Sequence, residues 1–220
     1  TRRGNEEWKY TDVRPIARVP FRLPAGPETE GLRTADLDRF TFSEPGWTRL
    51  VFVDGSYAPD LSSLSALPAG VRVVDLAKAI ASSAEAVQPN LARHASYEAN
   101  ALVALNTSFV HSGAFVHIPD GTRVEEPIHL LFITTSRETD TVTHPRVLIV
   151  TGRDSSATVL ESYGGVSESR YFTNAVTEIA LGQGSSLRYY KMQRQSEQAF
   201  HVTNTQAVLA RDSHLSSVNL

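Results

Sequence analysis

Histidines and carboxylates are the only side chains here that could build a metal site, because the sequence contains no cysteine. Such ligands on their own are typical of non-haem iron centres. The candidate ligands are five of the seven histidines and two adjacent glutamates: His111, His117, His129, His144, His201, Glu125 and Glu126. His111 and His117 would share a face only if one strand ran through both, which Gly113 and Ala114 make doubtful. We expect surface or hydrogen-bonded structural histidines, no metal site and no cofactor within this chain.

Signatures of common enzymes are missing from the sequence, which contains no phosphate-binding P-loop, no HExxH zinc motif and no GxSxG nucleophile elbow. Gly182-Gln183-Gly184 begins a dinucleotide-type pattern, but Leu187 stands where the third glycine is needed. This segment lies between two predicted strands and is interpreted as a turn. Asn106-Thr107-Ser108 is a glycosylation sequon, which has no meaning without a secretory route. We therefore predict no catalytic residue.

Paired carboxylates are the remaining chemistry to consider, because secreted β-helix proteins often act on polysaccharides. Asp154 and Glu161 are the candidates, and their separation in space would decide whether they can cleave a glycosidic bond. The sequence opens on Thr1-Arg2-Arg3-Gly4 without an apolar signal segment, which disfavours secretion. We keep a polysaccharide-acting β-helix enzyme as the alternative to a non-catalytic function.

Composition excludes several classes of protein. The chain has 220 residues, of which 41% are hydrophobic and 20% charged, an ordinary globular balance. A net charge of -3 without a run of basic residues argues against nucleic-acid binding. No apolar run approaches the length of a membrane span.

The last residues, 216–220, have the pattern of the middle of a strand, so we expect a fragment of a longer protein. We expect that protein to be cytoplasmic, or to be a plastid protein if it is processed.

Residues 1–105 are predicted to form a small mixed α/β region. Prolines interrupt residues 1–46, and Asp54-Gly55 after an apolar stretch is typical of a tight hairpin. Residues 71–74 are a further strand candidate. Helical signals extend from Asp75 to about Leu105, with one apolar stripe in the second half of this stretch and Pro89 in the first turn of its helix. The stripe consists of Leu91, Ala95, Ala99 and Leu102.

Residues 106–220 are predicted to be all β. The strands are rich in β-branched and aromatic residues, and glycine- or aspartate-containing turns separate them. They are predicted at residues 114–118, 128–134, 147–150, 158–163, 171–181, 187–193 and 200–209. Leu131, Val159, Leu187 and Leu215 follow one another at intervals of 28 residues, a spacing typical of repeat architectures. We predict that these four side chains stack inside a β-helix; a sandwich with regular turns is the structural alternative.

Several segments together resemble the SufB/SufD family of iron–sulfur cluster assembly proteins, and the SufD type in particular. The most specific is IPDGTRVEEPIHL at residues 118–130, which is similar to the family's VPxGxxVExPIxL signature. Others are EEWKYT at 6–11 and the segments at 50–55, 61–64, 101–109, 144–146, 174–179 and 199–202. They follow the family's order along essentially the whole chain.

The resemblance implies a right-handed parallel β-helix core and a non-catalytic scaffold role. SufD-like subunits pair with a SufB-like subunit through their β-helices and dock a SufC-like ATPase through a C-terminal region. The iron–sulfur cluster is then a product of the whole complex. The family's C-terminal half, with a late-core histidine linked to cluster building, has no counterpart here, so no ligand or catalytic residue is transferred. The absence of cysteine favours SufD over the thiolate-bearing SufB, and self-association through the β-helix is expected.

Overall fold

The structure, a computed structural model, describes residues 10–26, 29–30, 32–42, 46–110, 112–135 and 140–220. Within these ranges the helices are α1 (Arg14–Ala17), α2 (Leu76–Ser82), α3 (Ala84–Val87) and α4 (Ala101–Ser108), with 3₁₀ segments at Thr34–Phe40 and Pro59–Leu61. The strands are β1 (Thr48–Val53), β2 (Ser56–Tyr57), β3 (Arg72–Asp75), β4 (Gly113–Ile118), β5 (Ile128–Thr134), β6 (Thr141–Thr143), β7 (Arg146–Thr151), β8 (Ser156–Gly165), β9 (Tyr171–Leu181), β10 (Ser186–Arg194), β11 (Phe200–Leu209) and β12 (His214–Asn219).

The strands form two sheets that face each other. The first sheet has the order β12-β10-β8-β5-β1-β2, and the second has the order β11-β9-β7-β4-β3, with β6 beside β9. From β4 to β12 every pairing is parallel, and the long strands alternate between the two sheets. The chain therefore winds as a β-solenoid. The predicted fold class, a parallel β-helix core preceded by a small mixed α/β region, is confirmed.

The first β-hairpin and the strand at residues 71–74 are also as predicted. Asp54 and Gly55 have φ angles of 47° and 81°, the left-handed values that a two-residue hairpin needs. Strand β1 then joins the first sheet in parallel with β5, and β3 joins the second sheet antiparallel to β4. The N-terminal region thus extends both sheets of the solenoid. The division of the chain between residues 105 and 106 stays a prediction.

The continuous helical stripe predicted before residue 105 is wrong. The chain forms turns between α3 and α4, so Leu91, Ala95 and Ala99 do not share a helical face, and Pro89 lies in a turn. The reason is a tertiary contact. Backbone N–H groups at residues 92, 94 and 95 donate to the carboxylate of Glu178 instead of to carbonyls four residues earlier. Ala92 adopts a φ of 57°, which also ends any helix there.

The 28-residue register is correct for one pair and wrong for the others. Leu187 lies beside Leu215 on β10 and β12. Val159, however, lies beside Tyr189, and Leu131 lies beside Ser162. Leu131 is buried on the outer side of the first sheet, in a cluster with Leu37 and Phe40 of the N-terminal region. The other three side chains belong to or pack against the interior core. The connections between turns differ in length, so one spacing cannot hold throughout.

Tight turns stack in a column along the edge of the solenoid at which the chain passes from the second sheet to the first. Four turns contain a residue in the left-handed region, with φ between 53° and 67°: Gly121, Asp154, Gly184 and Asp212. The N–H group of each of the first three donates to a carbonyl in the next turn, at Arg153, Gln183 and Arg211. These bonds fix the stagger of successive turns.

Replacing Gly121 by valine should lower the free energy of unfolding by about 1–3 kcal/mol, because a β-branched residue disfavours positive φ. The φ of Gly121 is 65°, and an added Cβ would have no heavy atom within 4 Å. The cost is therefore conformational and not steric. Urea denaturation measures it, with Gly121→Asn as the matched control, since asparagine tolerates this region. Equal losses in both variants would contradict this interpretation.

Candidate functional site

Charged side chains lie inside the solenoid, in its last turns. Along β8 the residues Ala157 and Val159 face the interior core, and the alternation of a strand then places Glu161 and Tyr163 inward as well. Strand β10 contributes Tyr189 and Lys191 in the same way. Earlier turns are apolar at the equivalent positions: Leu130 lies beside Glu161, and Phe132 lies beside Tyr163. The interior therefore changes from apolar to polar along the solenoid.

Glu161 is the centre of this interior polar cluster, which also contains Tyr163, Thr177, Tyr189, Lys191, Thr203 and Thr205. Its carboxylate accepts hydrogen bonds from the hydroxyls of Tyr163 and Tyr189, each at 2.6 Å. The Thr177 hydroxyl donates at 2.9 Å. The Lys191 ammonium lies 3.3 Å away and also donates to Thr203 Oγ1 at 2.6 Å. Each residue of the cluster therefore has a hydrogen-bond or ion-pair partner within the cluster.

The surroundings of Glu161 keep its carboxylate ionised. The Glu161 carboxylate is fully buried, and this burial alone would raise its pKa. The Lys191 charge and the hydroxyl donors outweigh burial and hold the pKa below its ordinary value. The pKa values of Tyr163 and Tyr189 are raised, first by burial and then by the Glu161 charge, so both phenols stay protonated donors.

His201 extends this polar interior along β11. Its Nδ1 lies 2.7 Å from Gln195 Oε1, and the ring meets Tyr163 edge-on at 4.7 Å between centroids. Its Nε2 is buried and has no hydrogen-bond partner within the described part of the chain. Burial, followed by the Lys191 charge, lowers the pKa of His201 to about 4. The ring is therefore neutral at physiological pH.

A second buried charge pair lies on the outer face of the second sheet. Arg146 on β7 and Glu178 on β9 are both fully buried, and Arg146 Nη2 donates to Glu178 Oε2 at 2.5 Å. Glu178 also accepts the backbone N–H groups of residues 92, 94 and 95 at 2.8–3.0 Å. Burial would raise the pKa of Glu178, but Arg146 and these donors hold it below its ordinary value. We call this arrangement the outer clasp, since it fastens residues 92–108 to the solenoid.

Amide side chains complete the outer clasp. Arg146 Nη1 donates to Asn106 Oδ1 at 3.0 Å, and Asn106 Nδ2 donates to the carbonyls of Pro145 and Asn174. Asn174 Nδ2 donates to the Leu102 carbonyl at 2.9 Å. Two segments of the family resemblance, at 144–146 and 174–179, therefore have a structural role. Asn106, which belongs both to the sequon and to the family segment at 101–109, is a buried hydrogen-bonding residue.

The predicted histidines are dispersed over the fold. His117 is half-buried on β4, and burial first lowers its pKa. His129 is buried on the outer side of β5, where Nε2 lies 2.9 Å from Ser162 Oγ, and burial followed by the charge of Arg49 lowers its pKa to about 3. His144 stacks on Phe109 at 5.0 Å. His111 and residues 6–9 of the first family segment lie outside the described residues.

The remaining candidate carboxylates do not assemble a site. Glu125 and Glu126 are both exposed on the connection between β4 and β5. Among the described residues, no group of three or more His, Asp or Glu side chains could hold a metal ion. Asp154 lies in an exposed turn, whereas Glu161 lies inside the solenoid at the sixth residue of β8. The five positions of extended strand from Ser156, where β8 begins, to Glu161 already span about 16 Å. This separation is larger than glycoside hydrolysis by two carboxyl groups allows.

Acid should destabilise this protein through its buried neutral histidines. The folded-state pKa values of about 3 for His129 and about 4 for His201 lie below the ordinary 6.5. The unfolded chain therefore binds protons first as pH falls below 6.5. We expect each of these histidines to contribute a loss of up to about 1.4 kcal/mol per pH unit between pH 6.5 and 5. Urea denaturation at several pH values should show a shallower dependence in His201→Gln; parallel curves for variant and parent would contradict this.

The fold and the side chains together define a class of protein: a parallel β-solenoid with a self-satisfied charged interior. Models of two protein families match the chain. "SufBD protein N-terminal region" matches residues 1–130, and "SUF system FeS cluster assembly, SufBD core domain" matches residues 132–220. The chain therefore belongs to the SufBD family of iron–sulfur cluster assembly proteins, and the predicted family resemblance is confirmed.

Curated relatives agree with this assignment. The chain is 31% identical over 98% of its length to the iron-sulfur cluster assembly SufBD family protein slr0076 of Synechocystis, covering 49% of that protein. It is 26% identical over 96% of its length to the iron-sulfur cluster assembly protein SufD of Escherichia coli, covering 46% of it. A chloroplastic relative, protein ABCI7 of Arabidopsis thaliana, is 28% identical over 40% of the chain and 20% of its own length. The chain thus spans about half the length of the first two relatives.

Within the described residues, no helix is both long enough and apolar enough to cross a membrane.

Proposed function

We propose that this chain is part of a non-catalytic scaffold subunit in SUF iron–sulfur cluster assembly. The observation that carries this proposal is the match of both SufBD family models, in order, along the chain. The side chains support it. The buried charged groups are held by ion pairs and hydrogen bonds, as Glu161 and Glu178 show. Such groups stabilise a framework and do not present a free nucleophile or base.

The proposed partners are a SufB-like subunit and a SufC-like ATPase, in a bacterial cytoplasm or a plastid. Relatives named SufD and chloroplastic relatives support this assignment. Self-association through the β-solenoid is also proposed, as the family resemblance implies; a constant monomer mass in light scattering over a concentration series would contradict it.

The scaffold proposal places the cluster in the complex and not in this chain. The sequence has no cysteine and no phosphate-binding loop, so we expect the isolated chain to retain no iron–sulfur cluster and to hydrolyse no nucleotide. Anaerobic reconstitution followed by desalting and iron and sulfide analysis tests this. The matched control is the same reconstitution with a SufB-like subunit present, which should retain a cluster. A stoichiometric cluster on the isolated chain would contradict the proposal.

A further inference from the structure

A polar groove crosses the outer face of the first sheet, near the beginning of β8 and β10. Its cavity volume is about 220 Å³. Two arginines, three hydroxyl side chains and one carboxylate line it: Arg123, Arg188, Ser156, Thr158, Ser186 and Glu125. We call this feature the arginine groove. None of these residues belongs to the interior polar cluster or to the outer clasp.

The strand register brings these side chains together on one face. Ser156 lies beside Ser186, and Thr158 lies beside Arg188, in the parallel pairing of β8 and β10. Arg123 forms an isolated parallel bridge with Ser156. The intervening Ala157 and Leu187 are buried in the interior core, so their neighbours on each strand face outward. The convergence is therefore a consequence of the solenoid register.

The hydrogen-bonding capacity of this groove is largely unused. Within the described part of the chain, neither Arg188 nor the Ser156, Thr158 and Ser186 hydroxyls form a side-chain hydrogen bond or an ion pair. Arg123 has one ion pair, a 3.9 Å contact with Glu125 in which both side chains are more than 70% exposed. The interior carboxylates are instead saturated with donors. The arginine groove thus concentrates donors and positive charge with little acceptor capacity of its own.

We propose that the arginine groove binds a tetrahedral oxyanion of the phosphate type. A guanidinium group matches such an anion with two parallel N–H donors, and hydroxyl groups supply further donors to its remaining oxygens. Arg123 reaches the anion from its place beside Ser156, and Arg188 reaches it from two residues beyond Ser186 on β10. Glu125 lines the same groove, and its negative charge repels the bound anion and so lowers the affinity of the groove for it. Either free phosphate or the phosphate of a nucleotide presents this chemistry.

Binding of inorganic phosphate tests the proposal. We would follow amide chemical shifts of the protein during titration with phosphate at constant ionic strength, with chloride as the reference anion. Saturable shifts are expected at residues 123, 156, 186 and 188. Arg188→Gln should weaken binding about tenfold, the loss expected for a charge-assisted hydrogen bond. Glu125→Gln should strengthen binding, because it removes the opposing charge.

The matched control is Arg18→Gln, which removes an exposed arginine beside α1 and should leave the affinity unchanged. A parallel titration with adenosine diphosphate separates the two sources: tighter binding than phosphate indicates a nucleotide, and equal or weaker binding indicates the free anion. The proposal is overturned if phosphate causes no saturable shift in the groove, or if Arg18→Gln and Arg188→Gln weaken binding equally. Melting temperatures in chloride confirm that each variant is folded.

Discussion

Replacing Glu178 by alanine is expected to lower the free energy of unfolding by about 3–5 kcal/mol, because it leaves the buried Arg146 charge without its partner. Arg146 and Glu178 are both fully buried, and three backbone N–H groups of residues 92–95 would lose their acceptor as well. Those residues have no helical hydrogen bonds to fall back on. The loss should therefore include local detachment of residues 92–108 from the second sheet.

Urea denaturation measures the global loss, and limited proteolysis reports detachment of residues 92–108. The matched control is Glu85→Ala, which removes an exposed 4.0 Å contact with Arg72 and should change stability little. A double variant, Arg146→Met with Glu178→Leu, removes both charges and should recover part of the loss. Equal stability of Glu178→Ala and the parent would show that the outer clasp does not hold this segment.

Replacing Lys191 by methionine is expected to cost a similar amount, about 3–5 kcal/mol, since it isolates the Glu161 charge inside the solenoid. Glu161 is fully buried and Lys191 is 3% exposed, so water cannot take over the lost contact. Tyr163 and Tyr189 would still donate to the carboxylate. The pKa of Glu161 should then rise, because burial is no longer opposed by the Lys191 charge.

A double-mutant cycle separates the pair from its surroundings. Glu161→Leu combined with Lys191→Met should be less destabilising than the sum of the two single variants, because neither then leaves a lone buried charge. Full recovery is not expected, since Thr177 and both tyrosines lose their acceptor. Arg188→Met on the outer face of the same strand is the matched control and should change stability little. Strict additivity would contradict the coupling of Glu161 with Lys191.

The strands of the solenoid were predictable from the sequence, and their register was not. Residues 171–181 and 200–209 coincide with predicted strands because β-branched and aromatic residues alternate there between clear turns. Register depends on connections of unequal length. Residues 135–145 separate β5 from β7 and include β6, whereas residues 195–199 separate β10 from β11. A single spacing anchored at Leu131 therefore placed that side chain on the wrong side of its sheet.

The buried charges were missed because single positions of a strand do not reveal burial. From the sequence alone Glu161 is a candidate catalytic carboxylate, although Val159 and Tyr163, two residues to either side of it, indicate an inward-facing row. That row predicts burial only once β10 is known to place Tyr189 and Lys191 beside it. The burial of Glu178 and its role as a hydrogen-bond acceptor could not be predicted, because the N–H groups that it accepts, at residues 92–95, are more than 80 positions away in the sequence.

The central claim, a SufBD family scaffold, is tested most directly by native co-purification. The full-length protein carrying a small affinity tag at its chromosomal locus would be isolated from its own cells under anaerobic conditions, and its companions identified by mass spectrometry. The control is an untagged strain. We predict stoichiometric recovery of a SufB-like subunit and a SufC-like ATPase, and of iron and sulfide with the complex. Recovery of the protein without either subunit, from cells that express both, would contradict the account.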